Sequence, residues 1–174
     1  IGLMGRQITG RLLMAGFPLT IWNRTKDKDK EILGAGAAWA DSPAACARAS
    51  DVVITMVTDS AASEAIICGP GGVLEGAPPG MILIDMASIA PEMSRSIAVR
   101  AKVKGVPMLD APVTGNPKVA SEGKLGIMAG GPRLTYDACL PIFNAIGVKI
   151  IHVGEENGSG TTLKLINNLV MGVA

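Results

Sequence analysis

The sequence predicts an α/β protein with a doubly wound, mostly parallel β-sheet and helices on both faces. Strand-like and helix-like segments alternate along nearly the whole chain, which is typical of β-α-β units. The run Val52–Val57 (VVITMV) is apolar and rich in β-branched residues, as expected of a strand covered on both faces. The composition agrees, because 48% of the 174 residues are hydrophobic and only 3% are aromatic, with 22 glycines and 11 prolines for short turns.

Periodicity and capping residues place the individual elements along this pattern. Apolar residues recurring at helical spacing, or cap signals, predict helices over Gly5–Ala15, from Pro43 behind the N-cap Ser42, and over Ala61–Ile67, Pro91–Lys102, Arg133–Ile146 and Gly160–Ala174. The charged stretch Lys26–Glu31 is interpreted as the solvated face of one more helix. Short apolar runs predict strands over Leu19–Trp22, Ala37–Trp39, Val52–Val57, Met81–Asp85, Met108–Asp110, Gly126–Ala129 and Lys149–Val153.

Charge, hydropathy and cysteine usage exclude several classes of function. A formal net charge of +1, with basic and acidic residues interspersed, provides no field that would attract nucleic acid or an anionic membrane surface. No apolar run reaches the roughly 18–20 residues of a membrane span and no signal peptide is visible, so a cytoplasmic protein is the default. Cys46, Cys68 and Cys139 lie far apart, which favours small buried apolar residues over a disulfide or zinc site. The single histidine, His152, is interpreted as structural, and no metal-binding cluster is predicted.

The chain begins with a glycine pair, Gly2-Leu3-Met4-Gly5, that leads into the first predicted helix. This spacing matches the second half of the dinucleotide fingerprint Gly-x-Gly-x-x-Gly, in which N–H groups at a helix N-terminus bind a pyrophosphate. Only Ile1 precedes the turn, whereas the preceding strand is normally the centre of the sheet. We therefore expect the chain to be a fragment at its start, since a sheet without its middle strand would leave buried backbone groups unpaired.

A second glycine run, Gly69-Pro70-Gly71-Gly72, also invites a phosphate-binding interpretation. It lacks a following Lys-Ser or Lys-Thr pair, and no helix start is predicted behind it. An ordinary loop is therefore favoured.

The end of the second strand carries Asn23, Arg24 and Thr25, where dinucleotide folds commonly place an acidic residue for the ribose of NAD. An acidic side chain would repel a 2′-phosphate, whereas Arg24 can pair with one. NADP is therefore favoured over NAD, with a solvated surface arginine as the alternative interpretation of Arg24.

Four segments together resemble the β-hydroxyacid dehydrogenases, a family that includes 3-hydroxyisobutyrate dehydrogenase, tartronate semialdehyde reductase and the glyoxylate/succinic semialdehyde reductases. GLMG with WNRT is similar to the family's cofactor site, and DMASIAP (Asp85–Pro91) to its Asp-x-Ser-Thr-x-x-Pro segment near the nicotinamide ribose. DAPVTGN (Asp110–Asn116) resembles the substrate loop Asp-x-Pro-Val-Ser-Gly-Gly, and GSGTTLKLINN (Gly158–Asn168) the catalytic Gly-x-Gly-x-x-x-Lys-x-x-x-Asn motif. The resemblance covers essentially the whole chain. It implies a Rossmann-type domain over residues 1–158 and the start of a long interdomain helix over 159–174.

The resemblance assigns a role to each matching residue. Lys164 would be the general acid/base and Asn168 its orienting partner, while the turn Thr114-Gly115-Asn116 would anchor the substrate carboxylate. Cofactor contacts would come from Gly2, Leu3, Met4, Gly5, Asn23, Arg24, Thr25, Val57, Thr58 and Ser88. The chain departs from the family pattern at Asn116, where Gly is common, at Ala87, which lacks a hydroxyl and leaves Ser88 as the contact, and at Val57-Thr58, which replaces a frequent Leu-Pro.

These residue types suit the chemistry on physical grounds. Lys164 and Asn168 are four residues apart and project from one helix face, where an ammonium can exchange a proton with a substrate oxygen. Gly115 would let a carboxylate approach the N–H groups of its turn, although turn chemistry after Pro112 also explains these residues. A solvated helix face is likewise the alternative for Lys164. Apolar neighbours predict that Lys164 lies at the edge of a buried surface, which would lower its pKa; they are Leu163, Leu165, Ile166 and Leu169.

The sequence is thus identified as an oxidoreductase that transfers a hydride between NADP(H) or NAD(H) and a small 3-hydroxy acid or its semialdehyde. An imine reductase-like enzyme and a non-catalytic cofactor-binding scaffold protein are the alternatives. Lys164 disfavours both, because imine reductases usually lack a lysine at this point and a scaffold would be expected to have lost it. The resemblance further implies an all-helical domain after the chain, which closes the active site and forms a homodimer or homotetramer.

Overall fold

The computed structural model describes residues 1–25 and 30–173. The helices, numbered in chain order, are α1 (Leu3–Met14), α2 (Lys30–Gly34), α3 (Pro43–Arg48), α4 (Ser60–Cys68), α5 (Val73–Gly76), α6 (Pro91–Val103), α7 (Pro117–Ser121), α8 (Arg133–Ile146) and α9 (Ser159–Val173). The strands are β1 (Thr20–Ile21), β2 (Ala38–Trp39), β3 (Val52–Thr55), β4 (Ile82–Asp85), β5 (Met108–Asp110), β6 (Val113–Thr114), β7 (Leu125–Gly130) and β8 (Gly147–Gly154). Residues 26–29, the first part of the predicted charged helix, lie outside the described residues.

Most of the strands form one six-stranded sheet, in which the pairs β3–β4, β4–β5 and β7–β8 are parallel. β7 is antiparallel to both β5 and β6. Its C-terminal residue, Gly130, pairs with β5, and its earlier residues Gly126 and Ile127 pair with β6. β1 and β2 form a separate parallel pair. The predicted α/β fold with a mostly parallel sheet is therefore confirmed.

Alternate residues of the central strands belong to two different hydrophobic clusters, one on each face of the sheet. Ile84 and Leu109 pack in the cluster that contains side chains of α1 and α8, whereas Leu83 and Met108 pack with α4, α5 and α6. These four side chains are at most 2% exposed. Full burial of such a side chain contributes roughly 1.5–3 kcal/mol, so coverage by helices on both faces stabilises the sheet.

The glycine run Gly69–Gly72 is followed directly by the short helix α5, so the expectation that no helix starts there is wrong. The run itself is a loop, in which Gly69 and Gly72 permit close backbone packing and Gly71 has a positive φ of 68°. A Cβ added to Gly69 would lie 2.4 Å from the carbonyl oxygen of Ala65. At the end of α5, a Cβ added to Gly76 would lie 1.9 Å from the carbonyl oxygen of Ala44. Contact between backbones thus accounts for these glycines.

Besides α5, the elements β6 and α7 have no counterpart among the predictions. β6 has only two residues, which is too short for a periodic pattern, and it exists because it pairs with β7. α7 begins behind Asn116, whose Oδ1 accepts a hydrogen bond from the Val119 N–H, with Pro117 as the first helical residue. The pair Asn116-Pro117 is the same signal as Ser42-Pro43 at α3, so the sequence does carry the signal for α7.

The three cysteines and His152 lie at buried or half-buried positions of the fold. All three cysteines are free, and Cys139 is buried as predicted, whereas Cys46 and Cys68 are only half-buried, contrary to the prediction. His152 Nε2 lies 2.8 Å from the Gly131 carbonyl oxygen, and its ring is 4.8 Å from that of Tyr136.

Within residues 1–25 and 30–173, no helix has the length and apolar character needed to cross a membrane.

Candidate cofactor and active site

The first turn of α1 offers backbone N–H groups without a capping side chain. The N–H groups of Leu3, Met4 and Gly5 precede the first intrahelical hydrogen bond, which the Arg6 N–H donates to the Gly2 carbonyl. No acidic residue occupies this turn, and a Cβ added to Gly2 would meet no atom within 4 Å. The turn is therefore open and suited to an anionic group, so the predicted glycine turn fits the pyrophosphate of a dinucleotide.

The predicted ribose-side segment, Asn23-Arg24-Thr25, follows β1. The Asn23 Nδ2 group donates a hydrogen bond to the Thr25 carbonyl at 3.2 Å, which closes a tight turn, and Arg24 is exposed. Ile1 packs in the same apolar cluster as Ile21, the last residue of β1. The glycine turn and the end of β1 therefore lie side by side, as a dinucleotide that spans both would require.

The carboxyl ends of β3, β4 and β5 meet at one edge of the sheet. The strand register pairs Thr55 with Asp85, and Asp85 with Asp110. Because these strands are parallel, the loops that follow them emerge side by side. The predicted cofactor contacts Val57-Thr58 and Ser88 lie in the loops after β3 and β4, where Thr58 and Ser88 are exposed and Val57 is half-buried.

Asp85 fixes the start of the loop that carries Ser88. Its Oδ1 accepts hydrogen bonds from the Thr55 hydroxyl at 2.9 Å and from the Ala87 N–H at 3.1 Å. The side chain is buried, and this burial raises the pKa of the Asp85 carboxyl above its usual range. No hydrogen bond reaches Oδ2 from the part of the chain that the structure describes. Asp85 is therefore a buried carboxyl group with one oxygen in use.

Asp110 connects the same sheet edge to the start of α9. Its Oδ1 accepts a hydrogen bond from the Gly158 N–H at 2.7 Å. Its Oδ2 accepts one from the Thr161 N–H at 2.7 Å and one from the Thr161 hydroxyl at 2.9 Å. Burial raises the pKa of Asp110, against the effect of these donors, which favour the carboxylate. The first turn of α9 is therefore bound to the carboxyl end of β5.

α9 carries Thr161, Lys164 and Asn168 along one side, because residues three and four apart are neighbours on a helix. Since Thr161 is bonded to Asp110, Lys164 lies one turn further along the side that faces the carboxyl edge of the sheet. Lys164 is half-buried, and burial lowers the pKa of its ammonium group. Asn168 is exposed. Its role as the orienting partner of Lys164 stays a prediction.

Lys164 is half-buried, as expected of a residue at the edge of a buried surface, although its four apolar neighbours differ in exposure. Leu163 is half-buried, but Leu165, Ile166 and Leu169 are 42%, 53% and 69% exposed. The packed part of α9 is its start, which rests on β5 and β7. Further along, most side chains of the helix are exposed, because the described residues provide nothing for them to pack against.

The predicted substrate turn lies between β6 and α7. Thr114 is the last residue of β6, and Gly115 has φ +138°, so a side chain there would be strained. A Cβ added to Gly115 would also lie 2.8 Å from Leu125 Cδ2. Asn116 caps α7 through its Oδ1, so its Nδ2 group takes no part in the cap. A glycine at position 116, as is common in the family, could not provide this cap.

A groove of about 320 Å³ lies on a different side of α9 from Lys164. The helical rotation of about 100° per residue places Leu163 and Ile166 far around the helix from Lys164. Its lining residues are Arg95, Val153, Ser159, Thr162, Leu163 and Ile166. The groove is therefore lined by side chains of α9 other than Lys164.

Asp85 and Asp110 have no predicted role, although each opens a motif that resembles the family pattern. The available signal is an acidic residue that ends an apolar strand run, ILID for Asp85 and MLD for Asp110. Such a residue is buried with its strand and must find hydrogen-bond donors there. Among the described residues, no group of His, Cys, Asp and Glu side chains could hold a metal ion.

A doubly wound sheet with an open glycine turn at the start of α1, and with loops gathered at one sheet edge, defines a dinucleotide-binding domain of the dehydrogenase type. A family profile described as the NAD binding domain of 6-phosphogluconate dehydrogenase matches residues 1–154, and the chain belongs to this family. The resemblance to the β-hydroxyacid dehydrogenases, predicted from the motifs, is confirmed by the relatives that follow.

The chain is similar to proteins that are longer than itself. It is 37% identical over 171 residues to the uncharacterized oxidoreductase YkwC of Bacillus subtilis, covering 98% of this chain and 59% of YkwC. It is 34% identical over 172 residues to glyoxylate/succinic semialdehyde reductase 1 of Arabidopsis thaliana, covering 99% of this chain and 59% of the reductase. The chain thus spans about three-fifths of the length of these two relatives.

Solved structures give the same picture. A 3-hydroxyisobutyrate dehydrogenase of Mycobacterium tuberculosis, solved with L-serine, superposes with a TM-score of 0.92 at 30% identity, over 99% of this chain and 58% of that one. An imine reductase of Streptomyces aurantiacus superposes with a TM-score of 0.87 at 28% identity, over 98% of this chain and 59% of that one.

Proposed function

We propose that the intact protein is an NAD(P)-dependent oxidoreductase that interconverts a small 3-hydroxy acid and its semialdehyde or oxo acid. The observation that carries the proposal is the placement of Lys164, half-buried and with a lowered pKa, on the side of α9 that Asp110 turns toward the carboxyl edge of the sheet. The names of two relatives, a semialdehyde reductase and a 3-hydroxyisobutyrate dehydrogenase, support this substrate class.

The cofactor would lie along the glycine turn and the end of β1. The N–H groups of the first turn of α1 would hold the pyrophosphate, and Arg24, exposed after β1, would pair with a 2′-phosphate. NADP is therefore the favoured cofactor and NAD the alternative. When bound, the nicotinamide supplies the acceptor or donor of the hydride.

Lys164 would handle the proton of the reaction. In the oxidative direction, its neutral amine accepts the substrate hydroxyl proton at Nζ while the carbinol carbon gives up a hydride. In the reductive direction, its ammonium returns the proton to the carbonyl oxygen. Asn168, one turn further, would orient the substrate oxygen without adding charge. The turn Thr114-Gly115-Asn116 would bind the carboxylate through a hydroxyl, backbone N–H groups and the Asn116 Nδ2 group.

The proposed intact protein has a further strand and a further domain in addition to the described fold. A further strand between β1 and β3 would join the two separate sheets, whose strands β1 and β3 each have one described partner. Residues 1–158 would then form the cofactor domain, and 159–174 would begin a helix that leads into an all-helical domain. The exposed apolar residues Leu165, Ile166 and Leu169 support such a cover. A homodimer or homotetramer through that domain belongs to the same proposal.

An imine reductase is the second candidate, favoured by the similarity to the Streptomyces enzyme. Lys164 distinguishes the two, because a lysine that exchanges a proton with a hydroxyl suits hydroxy-acid chemistry. A screen of the intact protein for NADPH and NADH oxidation would test both candidates, with glyoxylate, succinic semialdehyde, tartronate semialdehyde and methylmalonate semialdehyde against a cyclic imine. Turnover of an aldehyde is expected. Turnover of the imine alone would overturn the proposed function.

The Lys164→Ala variant tests the assigned residue. It is expected to lower kcat by at least about 100-fold while leaving nucleotide affinity nearly unchanged. Lys102→Ala, which removes an exposed lysine of α6, is the matched control and is expected to keep wild-type kcat. Loss of nucleotide affinity together with kcat in Lys164→Ala would contradict the role. Binding of nucleotide with no turnover of any substrate by the wild type would favour the scaffold alternative.

A further inference from the structure

The start of α9 is capped by a residue far away in the chain. The N-cap position before Ser159 is Gly158, which has no side chain, and Asp110 supplies the oxygens that a local cap would otherwise provide. It accepts hydrogen bonds from the Gly158 N–H, the Thr161 N–H and the Thr161 hydroxyl. We call this set of three residues, Asp110, Gly158 and Thr161, the Asp110 clamp.

The packing around the clamp leaves the start of α9 little freedom. A Cβ added to Gly160 would lie 2.2 Å from the Met128 carbonyl oxygen and 2.7 Å from that of Asp110. A Cβ added to Gly130 would lie 2.6 Å from the Gly160 nitrogen. The two backbones are therefore in direct contact, so the glycines of this motif permit close packing. Two N–H groups of this helix start, those of Gly158 and Thr161, are already used by Asp110.

The same strand leads into the predicted substrate turn. β5 ends at Asp110, and the next residue, Ala111, donates its N–H to the Asp85 carbonyl at 2.7 Å, which holds the outgoing chain against β4. Three residues later the chain reaches Thr114. On the other side of the clamp, Lys164 follows Thr161 by one turn of α9. One buried carboxylate therefore lies between the element that would bind substrate and the element that would carry the acid/base.

We propose that Asp110 is a positioning residue, which holds the first turn of α9 on β5 and thereby sets the place of Lys164 relative to the turn Thr114-Gly115-Asn116. The inference rests on the proposed function for its effect on turnover. Asp110 is 1% exposed and acts through Thr161, so contact with substrate is not part of this role.

Three variants of the intact protein separate positioning from general stability. Asp110→Asn is expected to lower kcat about 10- to 100-fold, because a small misplacement of a catalytic group is enough to slow the reaction that much. Thr161→Val, which removes only the hydroxyl donor, is expected to lower kcat about 2- to 10-fold. Thr161→Ser keeps the hydroxyl, so its kcat is expected to be close to that of the wild type. The KM for the nucleotide is expected to stay within about twofold in all three.

Ser42→Ala is the matched control. Ser42 Oγ accepts a hydrogen bond from the Ala45 N–H at 3.0 Å and caps α3, so the variant also removes a helix cap, but at a place remote from α9. It is expected to keep wild-type kcat. An equal fall of kcat in Ser42→Ala and Asp110→Asn would overturn the positioning role, and so would wild-type kcat in Asp110→Asn.

Amide hydrogen exchange gives a readout that does not need activity. In Asp110→Asn, the N–H groups of Gly158 and Thr161 are expected to exchange at least about tenfold faster, with unchanged exchange in α3. Unchanged exchange at these two groups would overturn the clamp whatever the activity. If the wild type transfers no hydride to any substrate, the proposed function fails, whereas faster exchange in Asp110→Asn would still support the clamp.

Discussion

Asp85 and Asp110 are register partners at the carboxyl ends of β4 and β5, and both are buried, yet their carboxyl groups have different partners. Asp85 uses one oxygen, for two donors in its own part of the sheet. Asp110 uses both oxygens, for donors that belong to α9. Two residues in equivalent positions of adjacent strands therefore have different tasks. One shapes a loop, and the other attaches a helix.

Replacing each aspartate by asparagine is expected to affect stability differently. Asp85→Asn keeps Oδ1 for its two donors and removes a buried charge, and its amide can donate to the buried Ser63 hydroxyl, which has no partner among the described residues. Its free energy of unfolding at pH 7 is therefore expected within about 1 kcal/mol of wild type or above it. Asp110→Asn turns an amide toward N–H donors and is expected to cost about 1.5–3 kcal/mol. Urea denaturation of both variants measures the difference. A larger loss in Asp85→Asn than in Asp110→Asn would contradict these contacts.

The pH dependence of turnover is expected to follow the lowered pKa of Lys164. Its folded-state pKa lies below the ordinary 10.5, because burial disfavours the ammonium. Oxidation of a hydroxy acid needs the neutral amine, so kcat/KM is expected to rise with pH and level off above an apparent pKa below 10.5. Reduction needs the ammonium and is expected to fall through the same pKa. Lys164→Arg stays protonated and is expected to lose both transitions. An unchanged profile in that variant would assign the titration to another group.

Two glycine-to-alanine variants are expected to have opposite effects on stability. A Cβ at Gly160 would meet the Met128 carbonyl at 2.2 Å, so Gly160→Ala is expected to destabilise the fold by about 1–3 kcal/mol or to prevent folding. A Cβ at Gly10, inside α1, meets no atom within 4 Å, so Gly10→Ala is expected to stabilise by about 0.5–1 kcal/mol. Thermal unfolding of both variants tests the pair. A stable Gly160→Ala protein would show that the contact between α9 and β7 is looser than described.

Selectivity between NADPH and NADH is expected to depend on Arg24. Arg24→Ala removes the exposed guanidinium proposed to pair with the 2′-phosphate, so the dissociation constant for NADPH is expected to rise about 10- to 100-fold while that for NADH changes little. Arg48→Ala, which removes an exposed arginine of α3, is the control and is expected to change neither. An equal rise in the dissociation constants of NADPH and NADH in Arg24→Ala would show that Arg24 does not bind the 2′-phosphate. Equilibrium fluorescence titration is a suitable measurement.

Strong local patterns predicted most of the fold. Val52–Val57 predicted the strand at β3, and Pro91–Lys102 and Arg133–Ile146 predicted α6 and α8 to within one residue at either end. β6 was missed, because a two-residue strand has no periodicity and depends on its partner β7. The exposure of Leu165 and Ile166 could not be predicted, because an apolar pattern shows which face can be covered and not whether a neighbour is there to cover it.

The sequence by itself determined the class of the protein, an α/β dinucleotide-binding domain, and the order along the chain of its glycine turn, its predicted substrate turn and the helix that carries Lys164. Residue types and spacing are local properties, so they can be read along the chain. Only the tertiary structure decided that Asp110 caps α9 through Gly158, which lies 48 residues further along the chain. A hydrogen bond between segments so far apart in sequence depends on how β5 and α9 pack. The spacing of residues along the chain does not show which distant segments are in contact.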